Sequence, residues 1–233
     1  MSLSVILFPV LGAVLLAPYL VLRSKRQLLP GLFFKVGVSM LFLITAAAGI
    51  LTGGGGTKLP LSMALFIGLC CGLLGDIFLD QKDMYAMHKD VYTFAGFLVF
   101  LAGHLFFIVG LLVTYSPGWK VLLPGAAAGL AVGFGNPVLA KPMKMDFGRF
   151  KLITVIYGFV LTFMVGTAFA CYIVYKAKQP LWMGIGGIFF LLSDLVLSQT
   201  YFGKGHDKPV DYILNYTLYY AAQFAIAMSL SLI

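Results

Sequence analysis

The stretch LSMALFIGLCCGLLGDIFLDQKD, residues 61–83, is a long apolar run that ends among three aspartates. About 20 apolar residues in a helix are enough to span a lipid bilayer, so this run predicts a transmembrane helix. Asp76 comes before the apolar run has finished, whereas Asp80 and Asp83 follow it. A charged side chain at the bilayer centre costs at least about 2.5–3.5 kcal/mol on insertion scales, so Asp76 needs a structural or functional reason.

The rest of the chain has the composition of a membrane protein. Of its 233 residues, 61% are hydrophobic and only 10% are charged, whereas soluble domains are about 25% charged. The gaps between apolar runs are short and leave no room for a soluble domain. The sequence therefore predicts an all-α, polytopic helical bundle in the membrane, forming a single domain over residues 1–233.

Apolar runs of spanning length predict eight transmembrane helices. Their approximate ranges are 3–22, 31–51, 60–79, 91–114, 120–140, 150–175, 180–202 and 210–232. The fifth run is rich in glycine and ends at Asn136-Pro137, which predicts a short or broken helix.

The basic residues predict how these helices are oriented. Lys and Arg concentrate in cytosolic loops. With a non-cytosolic N-terminus, 12 of the 16 basic residues fall on the cytosolic side, and the even number of spans puts the C-terminus on the non-cytosolic side too. The 12 residues are Arg23, Lys25, Arg26, Lys35, Lys82, Lys89, Lys141, Lys144, Arg149, Lys151, Lys204 and Lys208. Topology and lipid headgroups thus explain the net charge of +8, and no basic face with interleaved aromatics predicts a nucleic-acid partner.

Asp76 and Asp80 are four residues apart, so a helix places them on one face. Two carboxylates at this spacing repel each other, which allows one to hold a proton while the other stays ionised, as general acid–base chemistry requires. Two other interpretations stay open. Asp80 could be a solvated helix end beside Lys82, and Asp76 could be the structural partner of a buried Lys or His.

Asp194 is the clearest case of a carboxylate inside an apolar run. It lies in GIFFLLSDLVLSQ, residues 187–199, about two-thirds of the way through the seventh predicted helix. Ser198 follows one turn later and could line the same face. A functional carboxylate is the favoured interpretation, with a purely structural aspartate as the alternative.

Three further helices, the second, the fourth and the eighth, carry polar side chains at a similar depth. His104 is in the middle of the fourth helix. It could be a functional residue or a hydrogen-bonded packing residue. Lys35, at the cytosolic start of the second helix, could extend to the membrane surface, pair with an aspartate or hold a phosphate.

The eighth helix carries a polar stripe at helical spacing, formed by Tyr216, Tyr219, Tyr220 and Gln223. Tyrosine is common at membrane interfaces, but Gln223 lies too deep for that explanation. A polar cavity shared by five helices is the economical explanation, because isolated polar groups would each bear the penalty of burial alone.

Four motifs, in this order along the chain, resemble the YhhN family of multi-pass membrane proteins. They are GDIFL (75–79), GFLVFLAGHLFF (96–107), FFLLSDLVLSQTYF (189–202) and YYAAQ (219–223). The chain departs from the family pattern at Ser198-Gln199, where Ala and Asn are usual, and at Phe107, where Tyr is common. These differences affect the lining of the predicted cavity.

The resemblance implies lysoplasmalogenase activity, which hydrolyses the vinyl-ether bond of a lysoplasmalogen to a fatty aldehyde and a glycerophospho-ethanolamine or -choline. It implies Asp76 and Asp194 as the catalytic aspartates and requires no metal or other cofactor. His104, Tyr219, Tyr220, Gln223 and Ser198 would then position water or the glycerol. Lys35, with Lys82 or Lys89, would meet the phosphate. The expected partners are this lysophospholipid and the surrounding membrane lipids.

Two other functions stay open. A metal-dependent lipid hydrolase would use Asp76, Asp80, His104 and Asp194 as ligands. A transporter would use the same residues as an ion or proton path. The segments LLGDIFLD (73–80) and LLSDLVLS (191–198) resemble each other and lie four helices apart, as in a parallel repeat of a transporter.

Overall fold

A computed structural model describes residues 3–53, 58–203 and 208–232. Lys204, which the orientation argument counts as cytosolic, lies outside these ranges. The described residues form eight long α-helices and contain no strand, as the all-α prediction requires. The helices are α1 (Leu3–Ser24), α2 (Leu28–Thr52), α3 (Leu59–Met84), α4 (Lys89–Tyr115), α5 (Trp119–Leu139), α6 (Lys151–Tyr175), α7 (Lys178–Phe202) and α8 (Pro209–Ser229).

Seven of these helices, α1 to α7, are long and apolar enough to cross a membrane. The helix α8 is 21 residues long, and its apolar character is diluted by its tyrosines and by Asp211, Asn215 and Gln223. Eight helices are therefore present in the described chain, while the eighth span stays a prediction.

The structure corrects one helix boundary and one expected helix break. The third helix continues to Met84, so Lys82 and Asp83 belong to α3 and not to a loop. The fifth helix is continuous through Pro124 and Pro137, although each proline removes one backbone hydrogen-bond donor from it.

The glycines of α5 serve packing rather than a break. A Cβ on Gly125, Gly129 or Gly133 would lie 2.8–3.0 Å from backbone atoms of α6. Small residues that let two backbones approach this closely are typical of helix pairs in membranes.

The chain divides into two compact units. The first comprises residues 1–110 and 227–233 and contains α1, α2, α3 and most of α4. Its α3 and α4 meet at Gly68 and Gly103, where a Cβ on either residue would lie 2.9 Å from the carbonyl oxygen of the other.

The second unit comprises residues 111–226 and contains α5, α6, α7 and most of α8. A Cβ on Gly186 of α7 would lie 2.9 Å from the carbonyl oxygen of Ala222 on α8, and one on Gly187 would lie 2.6 Å from the Val165 side chain on α6. Successive positions of α7 thus pack against different neighbours. The single domain that the composition predicts stays a prediction.

Candidate functional site

In the first unit, α2 and α3 bury four polar side chains between them. Lys35 and Ser39 are four residues apart on α2, and Asp76 and Asp80 are four residues apart on α3, so each pair shares one helix face. Relative exposure is 1% for Lys35, 0% for Ser39, 2% for Asp76 and 4% for Asp80. A charged group buried this deeply is tolerated only when it is paired.

The geometry of this cluster accounts for both aspartates. The Lys35 ammonium lies 2.8 Å from Oδ1 of Asp80 and 3.4 Å from Oδ1 of Asp76. It also donates a hydrogen bond to the Asp76 carbonyl oxygen at 3.2 Å. The Ser39 hydroxyl donates to Oδ2 of Asp76 at 2.7 Å. Both carboxylate oxygens of Asp76 therefore face donors.

These contacts decide between the interpretations left open above. Asp80 is not a solvated helix end, because it is buried against Lys35. Lys35 does not extend to the membrane surface, because its ammonium is enclosed by two aspartates of α3. Asp76 is a partner of the buried Lys35, and its catalytic role stays a prediction.

A second cluster of charged side chains lies at the C-terminal turn of α3. Arg23, at the end of α1, forms an ion pair with Asp83, and the Lys82 ammonium lies 3.6 Å from the same carboxylate. Lys89, the first residue of α4, interacts electrostatically with both Lys82 and Asp83. The Lys82 residue is only 6% exposed.

In the second unit, Asp194 has a different environment from Asp76. It is partly buried on α7 and accepts a hydrogen bond from the hydroxyl of Tyr157 on α6, which is itself buried. Its Oδ2 atom is buried and has no hydrogen-bond partner among the described residues. Within those residues, Asp194 forms no ion pair. Asp76 thus has a cationic neighbour, whereas Asp194 has a neutral one.

Ser193, which precedes Asp194 on α7, joins that helix to α8. The Asn215 amide donates hydrogen bonds to the Ser193 carbonyl oxygen at 2.8 Å and to the Ser193 hydroxyl at 3.0 Å. The Ser193 hydroxyl in turn donates to the Asn215 carbonyl oxygen at 3.1 Å. Because Ser193 faces α8, the adjacent Asp194 is directed toward α6.

The polar stripe of α8 is buried as a group. Gln223 is 1% exposed, and its amide donates to the Tyr219 hydroxyl at 3.0 Å. Its Oε1 is buried without a hydrogen-bond partner in the described part of the chain. The Tyr219 ring packs edge-on against Phe190 of α7 at 5.4 Å and against Tyr220 at 4.9 Å. Tyr216 is also buried.

The remaining predicted site residues are placed as follows. His104 on α4 is 1% exposed and belongs to the first unit, with its ring edge-on to Phe107 at 6.0 Å. Ser198 on α7 is partly buried and belongs to the second unit. Asp76 and Asp194 belong to different units, and their meeting in one cavity stays a prediction.

The structure adds three residues that sequence reasoning does not single out. Ser39 has a weak signal, because it lies one turn from Lys35 on an apolar helix. Arg23 looks like an ordinary orientation-setting residue in a basic loop. Tyr157 carries no signal at all, since it lies near the start of a predicted span and tyrosine is common at membrane interfaces.

Across the described residues, no group of three or more His, Cys, Asp or Glu side chains is arranged to hold a metal ion. Of the ligand set considered above, Asp76, Asp80 and His104 belong to the first unit and Asp194 to the second. The metal-dependent hydrolase stays a prediction.

Long apolar helices that bury charged side chains between them define a multi-pass membrane protein. The model of the YhhN family matches residues 31–230, which is most of the chain. The protein therefore belongs to the YhhN family, as its four motifs indicate. No curated protein and no solved structure matches the chain.

Proposed function

We propose that this protein is a lysoplasmalogenase that hydrolyses the vinyl-ether bond of lysoplasmalogens within the membrane. The YhhN family, to which the chain belongs, includes lysoplasmalogenases. The observation that carries the proposal is the contrast between two aspartates on apolar helices. Asp76 faces an ammonium and a hydroxyl, whereas Asp194 faces a neutral tyrosine and keeps one buried oxygen without a partner among the described residues.

Hydrolysis of a vinyl ether needs an acid first and a base afterwards. Protonation of the β-carbon converts the vinyl ether to an oxocarbenium ion. Water then adds to the carbon attached to the ether oxygen and loses a proton, and the resulting hemiacetal collapses to a fatty aldehyde and the glycerol hydroxyl. Proton transfer to carbon is the difficult step and requires a positioned acid.

Asp194 suits the role of the acid. A carboxyl group in an apolar environment, with no cation beside it, favours its neutral and proton-carrying form. The Tyr157 hydroxyl bonds to this carboxyl group and leaves Oδ2 available to face the substrate.

Asp76 suits the complementary role. A carboxylate beside an ammonium favours its charged form, and Lys35 lies 3.4 Å from Asp76. The ionised group would stabilise the oxocarbenium ion and then accept a proton from the attacking water. Glycosidases divide the work between two carboxyl groups in the same way.

The other polar residues would orient the substrate. Gln223 has a buried Oε1 that can accept a hydrogen bond from a glycerol hydroxyl or from water. His104, Tyr219, Tyr220 and Ser198 would line the same cavity. The vinyl-ether chain would lie among the helices, in a bundle of eight spans with both termini on the non-cytosolic side. The mechanism needs no metal or other cofactor.

The direct test is aldehyde release by the purified protein in detergent, from a vinyl-ether lysolipid and from an acyl lysolipid of the same chain length. We expect release from the first substrate only and a large loss of rate in Asp76→Asn and Asp194→Asn. Asp146→Asn is a matched control, because Asp146 is exposed and its bond from the Gly148 N–H can also be accepted by Asn. Near wild-type rates in both variants, or no aldehyde from the wild type, would refute the proposal.

Transport is the second candidate, and one structural observation favours it. In each unit, one helix carries an aspartate that accepts a hydrogen bond from a hydroxyl on the preceding helix. The helix is α3 in the first unit and α7 in the second. These pairs are Ser39–Asp76 and Tyr157–Asp194. This repetition extends the similarity of residues 73–80 and 191–198, as expected for a parallel repeat. Lysolipid flux across proteoliposomes without any product would favour transport over hydrolysis.

A further inference from the structure

The Lys35 ammonium is engaged deep in the first unit. It contacts Oδ1 of Asp80, Oδ1 of Asp76 and the Asp76 carbonyl oxygen, all within 3.4 Å. With a relative exposure of 1%, Lys35 is poorly placed to bind a phosphate from the membrane surface. Any phosphate of a lipid substrate would therefore need other cations.

Three other cations converge at the end of the same unit, and we call them the basic cluster. They are Arg23 at the C-terminal end of α1, Lys82 in the last turn of α3 and Lys89 at the start of α4. Asp83 lies among them, in ion pairs with Arg23 and Lys82, and Lys89 interacts with both Lys82 and Asp83. Three helix ends thus bring three positive charges around one carboxylate.

This arrangement has an energetic consequence. Like charges repel strongly when they are shielded from water, and the side chains of Arg23 and Lys82 are only 11% and 8% exposed. A phosphate placed between them would offset that repulsion through charge-assisted hydrogen bonds, which are among the strongest in proteins. Arginine and lysine together are a common phosphate-binding combination.

The depth of the basic cluster also fits a lysolipid. Asp76 and Asp83 are seven residues apart on α3, so they lie on one face with a separation of about 10 Å along the helix. In a lysoplasmalogen, only the glycerol backbone separates the phosphate from the vinyl ether. A phosphate at the helix ends would therefore direct the vinyl ether toward the level of Asp76.

We propose that the basic cluster of Arg23, Lys82 and Lys89 binds the phosphate of the lysolipid substrate. This inference deepens the proposed function and depends on it for the identity of the lipid. It makes Lys82 a binding residue and Lys35 a positioning residue for Asp76.

The kinetic test uses two substrates, a lysoplasmenyl-ethanolamine and an alkenylglycerol that lacks the phosphate. For Lys82→Met we expect KM for the phosphate-bearing substrate to rise about tenfold, the effect of losing one moderate charged contact. We expect kcat for that substrate and both constants for the alkenylglycerol to stay within about twofold, a change worth less than ~0.5 kcal/mol.

Two variants control this experiment. Lys82→Arg keeps the charge and should keep KM near the wild-type value. Lys25→Met removes an exposed lysine just beyond α1 and should change neither constant. An unchanged KM in Lys82→Met, or an equal loss on both substrates, would overturn the inference.

A binding experiment separates this inference from the proposed function. The probe is a saturated 1-O-alkyl lysophosphoethanolamine, which cannot undergo vinyl-ether hydrolysis, and the readout is the shift in Tm of the purified protein. We expect stabilisation of the wild type and of Lys25→Met, its loss in Lys82→Met, and no stabilisation by inorganic phosphate alone.

The outcomes of the binding experiment are distinct. Equal stabilisation of Lys82→Met and wild type would overturn the inference, and so would stabilisation by inorganic phosphate equal to that by the lipid. If the wild type cleaves no vinyl ether but binds the probe through Lys82, the proposed function fails and the phosphate site stands.

Discussion

The ammonium of Lys35 on α2 lies 2.8 Å from Oδ1 of Asp80 on α3, and both side chains are almost completely buried. The pair joins two helices at a depth where water cannot replace a missing partner. Asp76 shares the same ammonium at 3.4 Å. One buried lysine thus faces two carboxylates of the same helix.

Lys35→Met should destabilise the protein by about 3–5 kcal/mol, because removing one partner of a buried ion pair leaves the other uncompensated. The double variant Lys35→Met/Asp80→Asn should lose less than the sum of the two single losses, because it removes the uncompensated charge together with its partner. Unfolding of the purified protein in detergent measures the stability of Lys35→Met, Asp80→Asn and the double variant, with Lys25→Met as control. Additive losses would show that Lys35 and Asp80 do not interact.

Tyr157→Phe should lower kcat about tenfold, because the Asp194 carboxyl group loses the hydroxyl that orients it, a bond worth about 0.5–1.5 kcal/mol. KM should change little, since Tyr157 acts through Asp194 and not on the substrate. Tyr175→Phe is the matched control, because its hydroxyl lies on the same helix and makes only an exposed bond to Ser116 at 3.5 Å. If both variants lose kcat equally, the effect is not specific to Asp194.

Asn215→Leu should lower stability by about 1–3 kcal/mol, because it leaves the buried Ser193 hydroxyl without its amide donor. It should also lower kcat, since Ser193 sets the direction of the adjacent Asp194. Thr200→Val is the control, because that hydroxyl bonds only within its own helix, to the Val196 carbonyl oxygen. Thermal unfolding and aldehyde release measure the two effects, and an unaffected kcat would remove the link to Asp194.

Gly166→Ala should strongly destabilise the second unit, because a Cβ there would lie 2.4 Å from the Cα of Gly125 on α5. The two backbones would have to separate, and close packing of membrane helices would be lost. Gly135→Ala is the opposite case, since nothing lies within 4 Å of its Cβ position. It should be neutral or stabilising by up to ~1 kcal/mol through helix propensity. Equal thermal stability of the two variants would contradict this packing.

Much of the helical framework could be predicted from the sequence. The apolar runs indicate eight helices, because only a helix satisfies the backbone of one continuous segment inside a bilayer. The sequence defines their ends less closely. The polar residues Lys82 and Asp83 look like the start of a loop, yet α3 continues to Met84, where Arg23 of α1 pairs with Asp83.

The sequence by itself determined which residues are helical and which share a face, such as Asp76 with Asp80 and Tyr219 with Gln223. Both follow from the period of the helix, which is a local property. Only the tertiary structure decided that Asp80 is buried against Lys35 and that Tyr157 bonds to Asp194. The physical reason is that the partner of a buried polar group depends on which faces of neighbouring helices meet. Where two faces meet, glycines far apart in the chain lie close together. Gly68 approaches Gly103, and Gly125 approaches Gly166.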